Sequence, residues 1–306
     1  MTVVLHHYWG SNYAEKARLM LGLKGLEWES VIIPDVMPKP DLVALTGGYS
    51  KTPVLQIGAD VYCDTKRIAD ELEARWPTPT LFPGGRRGFA DIVQYWADGA
   101  MTLAGGRYLI GRSHENWRPE FHADRAKLWG VPVDLERMAR SAERYRQQLV
   151  VYLEWLTDML ADGRTFLAGE QAGLIDITCH HILWFLHTGG EKATDVLIPY
   201  ERIRAWLDRV TAIGHGKLTE IGAEKALAIA LDASPASEAS VRPNNREGLR
   251  RGEKVSIQAE IAGRDPVVGK LHVLTNRHVA VQLEGERVGE VVVHFPRVGY
   301  VVKRVE

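Results

Sequence analysis

The chain has 306 residues, and its 38 Lys+Arg against 39 Asp+Glu leave a formal net charge of −1. That length is enough for two or three domains with sizeable cores, while the near-neutral balance supplies no global field for nucleic acid or an anionic membrane, so small molecules and proteins are the expected partners. Only Cys63 and Cys179 are present, without a CxxC spacing, which argues against a disulfide framework, a cysteine-rich zinc site and a thioredoxin-type redox pair.

Taken in chain order, residues 1–83 alternate strand-like and helix-like patterns. Val3-Val4-Leu5 is a short apolar run, Ala17, Met20, Leu21 and Leu23 recur at helical spacing, and Val31-Ile32-Ile33 and Val61-Tyr62 are further runs. That order predicts a thioredoxin-like α/β domain. Residues 78–88, rich in Pro and Gly, read as a linker. Residues 89–232 carry helical periodicity, clearest over 133–160, where Leu135, Met138, Ala142, Tyr145, Leu149, Leu153, Leu156 and Leu160 fall at three- and four-residue steps. Gly173-Leu174-Ile175-Asp176 has the form of a helix start, with Asp176 placed to reach back to orphan backbone N–H groups.

From Ser234 the composition changes to small polar residues and then to alternating β-branched runs, Val255 to Ile261, Val267 to Leu274, His278 to Leu283 and Val291 to Phe295. Residues 235–306 are therefore expected to form a small all-β barrel or sandwich, folded on its own and dispensable for ligand binding. The fold class is α+β multidomain: a thioredoxin-like α/β domain, an all-α domain and an appended β domain. The N-terminus has no signal-like segment and no run approaches the ~20 apolar residues needed to span a bilayer, so a cytoplasmic protein is expected.

The most informative segment is Lys51-Thr52-Pro53-Val54-Leu55, followed by Asp64-Thr65. A proline at the entrance of a short apolar strand lacks an N–H and fixes φ. If its peptide bond is cis, the chain turns sharply and leaves the N–H and C=O of Val54 to pair with an extended ligand. Asp64-Thr65 opens the next apparent helix, whose exposed N–H groups favour a carboxylate. A peptide-like anion fits both features.

These residues, in this order, resemble the glutathione-binding half of the glutathione transferase family, and the helical stretch beyond them resembles its C-terminal half. The resemblance covers the chain to about residue 232; ordinary members stop before the β segment. It implies a serine-type enzyme, similar to theta- and zeta-like members, in which one hydroxyl near the end of the first strand stabilises the glutathione thiolate. Counting back from Arg18, Ser11 falls at that position, with Asn12 and Tyr8 as other candidate donors. No cysteine stands in this turn, so glutathione-dependent disulfide reduction is not expected. The resemblance gives Asp64 and Thr65 to the γ-glutamyl group and Lys51 to the glycyl carboxylate, with Thr52, Pro53 and Val54 along the peptide and Lys39 as a further contact.

Trp9, Tyr95, Trp96 and Tyr108 could line a second-substrate pocket between the halves. Adjacent His6-His7 and His180-His181 point in different directions on a strand or helix and make poor ligand pairs. No metal or redox cofactor is expected. The expected reaction is attack of the glutathione thiolate on a small apolar or aromatic electrophile. The alternatives are a glutathione-dependent isomerase or ether-cleaving enzyme, and a non-catalytic glutathione-binding scaffold whose β domain, residues 235–306, recruits a protein partner. The resemblance also implies a homodimer.

Overall fold

The computed structural model describes residues 2–305. The chain opens with β1 (Val3–His7), α1 (Asn12–Leu23), β2 (Glu27–Ile32), α2 (Pro40–Thr46), β3 (Val54–Ile57), β4 (Asp60–Cys63) and α3 (Thr65–Arg75). These strands stand in the order β4-β3-β1-β2, with β1 and β2 parallel and β3 antiparallel to both β1 and β4. This is the thioredoxin-like arrangement. Alternation along the strands sends Val3, Leu5, Leu55 and Ile57 into one core and Val4, Val31 and Val54 into another, because successive side chains point to opposite faces.

The first core is shared with the helical half, α4 (Arg87–Trp96), α5 (Thr102–Ser113), α6 (Pro119–Trp129), α7 (Leu135–Met159), α8 (Leu174–Leu186), α9 (Glu191–Thr194) and α10 (Glu201–Thr211). α4 and α5 join through a π-type turn at Ala97–Met101. Helix α7 runs 25 residues and buries Ala142, Leu149, Leu153 and Leu156 along the stripe expected from its periodicity. Helix α8 is buried almost all round, and Asp176 explains its start. One oxygen of Asp176 accepts from Gly173 N at 3.0 Å, the other from Leu167 N at 2.6 Å and Trp206 Nε1 at 2.9 Å. The linker-like stretch is not loose: Leu81 and Phe82 are core residues, and Leu174 N donates to Leu81 O at 2.7 Å.

Two expectations are corrected beyond α10. Residues 217–220, read as helical, form β5 (Lys217–Glu220), which pairs with β2 in parallel at one edge of the sheet. Helix α11 (Ala223–Leu231) follows, then β6 (Ser240–Val241), β7 (Lys254–Ala259), β8 (Val267–Leu274), β9 (His278–Gly285), β10 (Gly289–Pro296) and β11 (Tyr300–Arg304).

The appended β module is present, but it is not self-contained. Strand β10 pairs with β4 in parallel, Val292 against Asp60 and Val293 against Val61, so one sheet runs β11-β7-β8-β9-β10-β4-β3-β1-β2-β5. Its apolar face does not close on itself; Val255, Ile257, Val281, Val291 and Phe295 share a core with Val4, Val31, Leu42, Leu45 and Val54. Gly47, the left-handed cap of α2 at φ 69°, sits so close to this module that a Cβ there would come within 2.4 Å of Leu283 Cδ1. The seam is also polar: Asp60 Oδ1 lies 2.9 Å from His294 Nε2, and Asp60 Oδ2 accepts from Ala236 N at 2.7 Å.

Candidate functional site

The turn between β1 and α1 is fixed from below by Arg18. Its Nη2 donates to Trp9 O at 3.1 Å and to Glu15 Oε2 at 2.7 Å, while Glu15 Oε1 lies 3.0 Å from His215 Nε2. The turn delivers Ser11 as the buried N-cap of α1, its Oγ accepting from Ala14 N at 3.2 Å. A capping serine accepts with its lone pairs and still has its O–H to donate, so the cap and a thiolate-stabilising role are compatible. Tyr8 is its neighbour, its carbonyl oxygen accepting from Ser11 N at 3.2 Å; burial raises the Tyr8 phenol above its ordinary range, against the opposing pull of Arg125 and Ser11.

Asn12 is spent elsewhere. Its amide nitrogen lies 3.0 Å from His181 Nδ1, inside a network in which His181 Nε2 and Lys16 Nζ meet Asp98 at 3.1 and 2.6 Å. That network ties α1 to the helical half.

The Thr52–Pro53 bond is cis. Val54, the first residue of β3, is registered with His6 on one side and Cys63 on the other. The free backbone that the residues suggested at Val54 is therefore taken up by the sheet, and Thr52, on the other side of the cis bond, is the turn residue outside the ladder. Lys39 reaches this turn, its Nζ donating to Ser50 O at 3.0 Å and Thr52 Oγ1 at 3.2 Å. Burial, helped by the nearby Arg125 charge, lowers the Lys39 ammonium to about 8.

Helix α6 docks over the same corner. Arg125 Nη2 donates to Asp35 O at 2.8 Å and to Tyr8 Oη at 3.3 Å, and Asp124 Oδ1 accepts from Met37 N at 2.8 Å. Across the turn, Asp64 caps α3: its Oδ1 accepts from Lys66 N at 2.9 Å and its Oδ2 from the Tyr300 hydroxyl at 3.1 Å. Asp64 has φ 76°, the left-handed region that non-glycine residues seldom occupy, and Thr65 is buried beside it.

Lys51 lies between two aromatic rings. Its ammonium stands 5.4 Å from the Tyr49 ring and 5.1 Å from the Tyr300 ring, held by two aromatic faces. Trp9, half exposed, packs against Arg18 and His215, 5.0 and 6.3 Å away, with its ring at the His7 edge. Tyr108 is fully buried in α5 and bonds Asp195, and Trp96, half-buried, meets Tyr152 edge-to-face at 5.3 Å at the margin of the core. Tyr95 is exposed on α4. Thus the β1 end with Tyr8 and Ser11, the Thr52–Pro53 turn and the Asp64–Thr65 helix start adjoin at one corner through the β4-β3-β1 register, whereas Tyr108 is core, Trp96 lies half-buried at its margin, Asn12 bonds His181, and Trp9 and Tyr95 are exposed.

Arg125 and Tyr300 carry no signal at sequence level, because each reaches the corner from a distant element. Both cysteines are buried free thiols, and burial with the adjacent Asp64 charge pushes Cys63 well up from its usual range. Among the described residues no group of three or more His, Cys, Asp or Glu is placed to hold a metal ion, and no helix is long and apolar enough to cross a membrane.

A thioredoxin-like domain with a cis-proline turn, joined to a helical half, defines a class, and comparison with known proteins places the chain within it. Residues 5–80 match the family model of the glutathione S-transferase N-terminal domain, and residues 139–209 that of the C-terminal domain. A GST-like protein from Pseudomonas syringae is similar over 99% of both chains, at 37% identity and a TM-score of 0.81, so the sheet extension is part of the likeness. A glutathione S-transferase of Arabidopsis thaliana is 24% identical over 60% of this chain and 73% of its own length. A beta-etherase from Sphingobium shares the fold over 69% of this chain and 96% of its own, at 20% identity and a TM-score of 0.53. The chain belongs to the glutathione transferase family.

Proposed function

We propose that the corner around Thr52 binds glutathione and activates its thiol for attack on a carbon electrophile. The observation that carries this reading is the Thr52–Pro53 turn, flanked by the Lys39 ammonium on one side and the Asp64–Thr65 start of α3 on the other. The Thr52 backbone pairs with the cysteinyl unit, as an extended peptide pairs with an exposed edge. The orphan N–H groups of α3 take the γ-glutamyl carboxylate and Asp64 its ammonium. Lys39 takes the glycyl carboxylate, the role that the resemblance gave to Lys51.

The thiol lies towards the β1–α1 turn, where the Ser11 hydroxyl donates to the sulfur and the thiol proton leaves to solvent. Lowering a thiol pKa from ~8.5 to 7 or below takes roughly 2 kcal/mol, within reach of one charge-assisted hydrogen bond plus a helix N-terminus. The thiolate then forms the S–C bond as the leaving group departs with the bonding pair, or adds to an activated double bond that is later protonated. An aryl ether is one such electrophile, and the likeness to a beta-etherase is a reason to include ethers in a screen.

Ser11→Ala tests this assignment. Absorbance of the bound thiolate against pH is expected to give a pKa about one unit or more higher than in the parent, with turnover at neutral pH falling more than affinity. A variant that titrates like the parent, while Tyr8→Phe does not, moves the donor to Tyr8. A parent that shows no glutathione binding by calorimetry sinks the reading as a whole.

A further inference from the structure

No motif in residues 235–306 marks a ligand site, yet two of its segments end beside the corner assigned above to glutathione, one on Asp64 and one on Lys51. The hydroxyl of Tyr300, the first residue of β11, donates to Asp64 Oδ2 at 3.1 Å and lies 3.4 Å from the Tyr49 hydroxyl. The Tyr300 and Tyr49 rings together hold the Lys51 ammonium. The loop between β7 and β8 closes on the same lysine. Gly263 N donates to Leu128 O, near the end of α6, at 2.8 Å, and a Cβ on Gly263 would come within 3.0 Å of Lys51 Cγ.

Asp64 is thereby fixed through both oxygens, one by its own helix and one by the extension. Its left-handed backbone is a conformation that persists where the surroundings over-determine it. A carboxylate oxygen has two lone pairs, so Oδ2 can accept the Tyr300 proton and keep one for a ligand ammonium. Burial, reinforced by Tyr49 and Asp64, raises the Tyr300 phenol well above its usual range, so it remains a donor at any working pH.

Resting on the glutathione reading, we propose that the C-terminal extension forms the wall of the site at its γ-glutamyl end, with Tyr300 as the positioning residue that aims Asp64 at the ligand's ammonium. The extension then makes the site selective for thiol peptides that carry a γ-glutamyl group. No bond is made or broken by Tyr300; it orders a carboxylate that in turn orders the substrate.

The experiment is a pair of binding titrations on the full chain, glutathione against cysteinylglycine, for the parent and for Tyr300→Phe, which keeps the ring against Lys51. Glutathione is expected to bind roughly tenfold more weakly to the variant, the scale of one hydrogen bond to a charged group, with cysteinylglycine unchanged. In turnover assays KM for glutathione rises while kcat stays. Equal losses for both peptides, or no loss, overturn the proposal and leave the glutathione reading standing; a parent that binds neither peptide overturns both. Hydrogen exchange on the parent gives a second measurement that needs no variant: glutathione, and not cysteinylglycine, is expected to slow exchange over 298–304, and unchanged exchange there also overturns the proposal.

Discussion

On the proposed reading, in which Lys39 takes the glycyl carboxylate, its ionisation bears directly on ligand affinity. Burial and the Arg125 charge bring its ammonium down to about 8, so it is charged at neutral pH and loses its proton as pH rises through that value. Carboxylate binding needs the charged form, so affinity for S-methylglutathione, whose blocked sulfur does not titrate, is expected to fall as pH rises from about 7 to about 9. The ligand's own ammonium also titrates in this range, so the measurement is the difference from Lys39→Met. That variant should bind several-fold more weakly at neutral pH and lose less above pH 8; identical pH curves would remove Lys39 from the site. The helix starts at Ser11 and at Asp64–Thr65 and the turn at Pro53 were legible in the sequence because a turn and a helix start are local patterns. Lys39 was visible only as a lysine before a proline, since its contact with Thr52 depends on how the loop folds back. Arg125 and Tyr300 were not legible, because their contacts cross between separate elements.

At the scale of elements, strands and α8 bury histidines in neutral form. His6 on β1 bonds Gln56 at 2.9 Å, His7 bonds Ser30 at 2.9 Å, and His180 on α8 bonds Thr211 at 2.9 Å. Burial, as the leading cause, lowers His6 and His180 to about 4 and His7 and His278 to about 3. The sign follows from the reference state. An unfolded histidine takes up a proton near 6.5 while these folded ones refuse it until about 3 to 4, so stability is complete above ~6.5 and declines as pH falls below it. Thermal unfolding is expected to show the midpoint dropping steadily from about pH 7 to about pH 5, each group contributing on the order of 1 kcal/mol per pH unit. A flat profile over that interval would show that the histidines are solvated or charged in the fold. The sequence already indicated that each adjacent pair would diverge, since neighbours on a strand or helix point apart. It did not reveal β5, because Lys217-Leu-Thr-Glu has no apolar alternation of its own and is a strand only by lying beside β2.

For the molecule as a whole, the strand pattern of residues 235–306 was legible and its attachment was not, because pairing partners are set by register and not by composition. The β10 to β4 seam and the common core mean that truncation at Ser234 would strip a paired strand from β4 and expose the face carrying Val4, Val31 and Val54. The truncated chain is expected to aggregate or unfold, read as loss of soluble protein and of a cooperative thermal transition. A soluble, cooperatively folded product that binds glutathione would restore the view of a separable module. The same seam bears on how the protein emerges from the ribosome. Asp60 and its partner His294 are 234 residues apart in sequence, and β5 reaches the opposite edge of the sheet only after the helical half has been made. The first strands to be synthesised therefore wait, with both margins of their sheet unpaired, for the last ones to arrive. Contacts of such long separation fold slowly and leave edges open to other chains in the interval, so this architecture places a demand on chaperones that a transferase ending at α10 would not make.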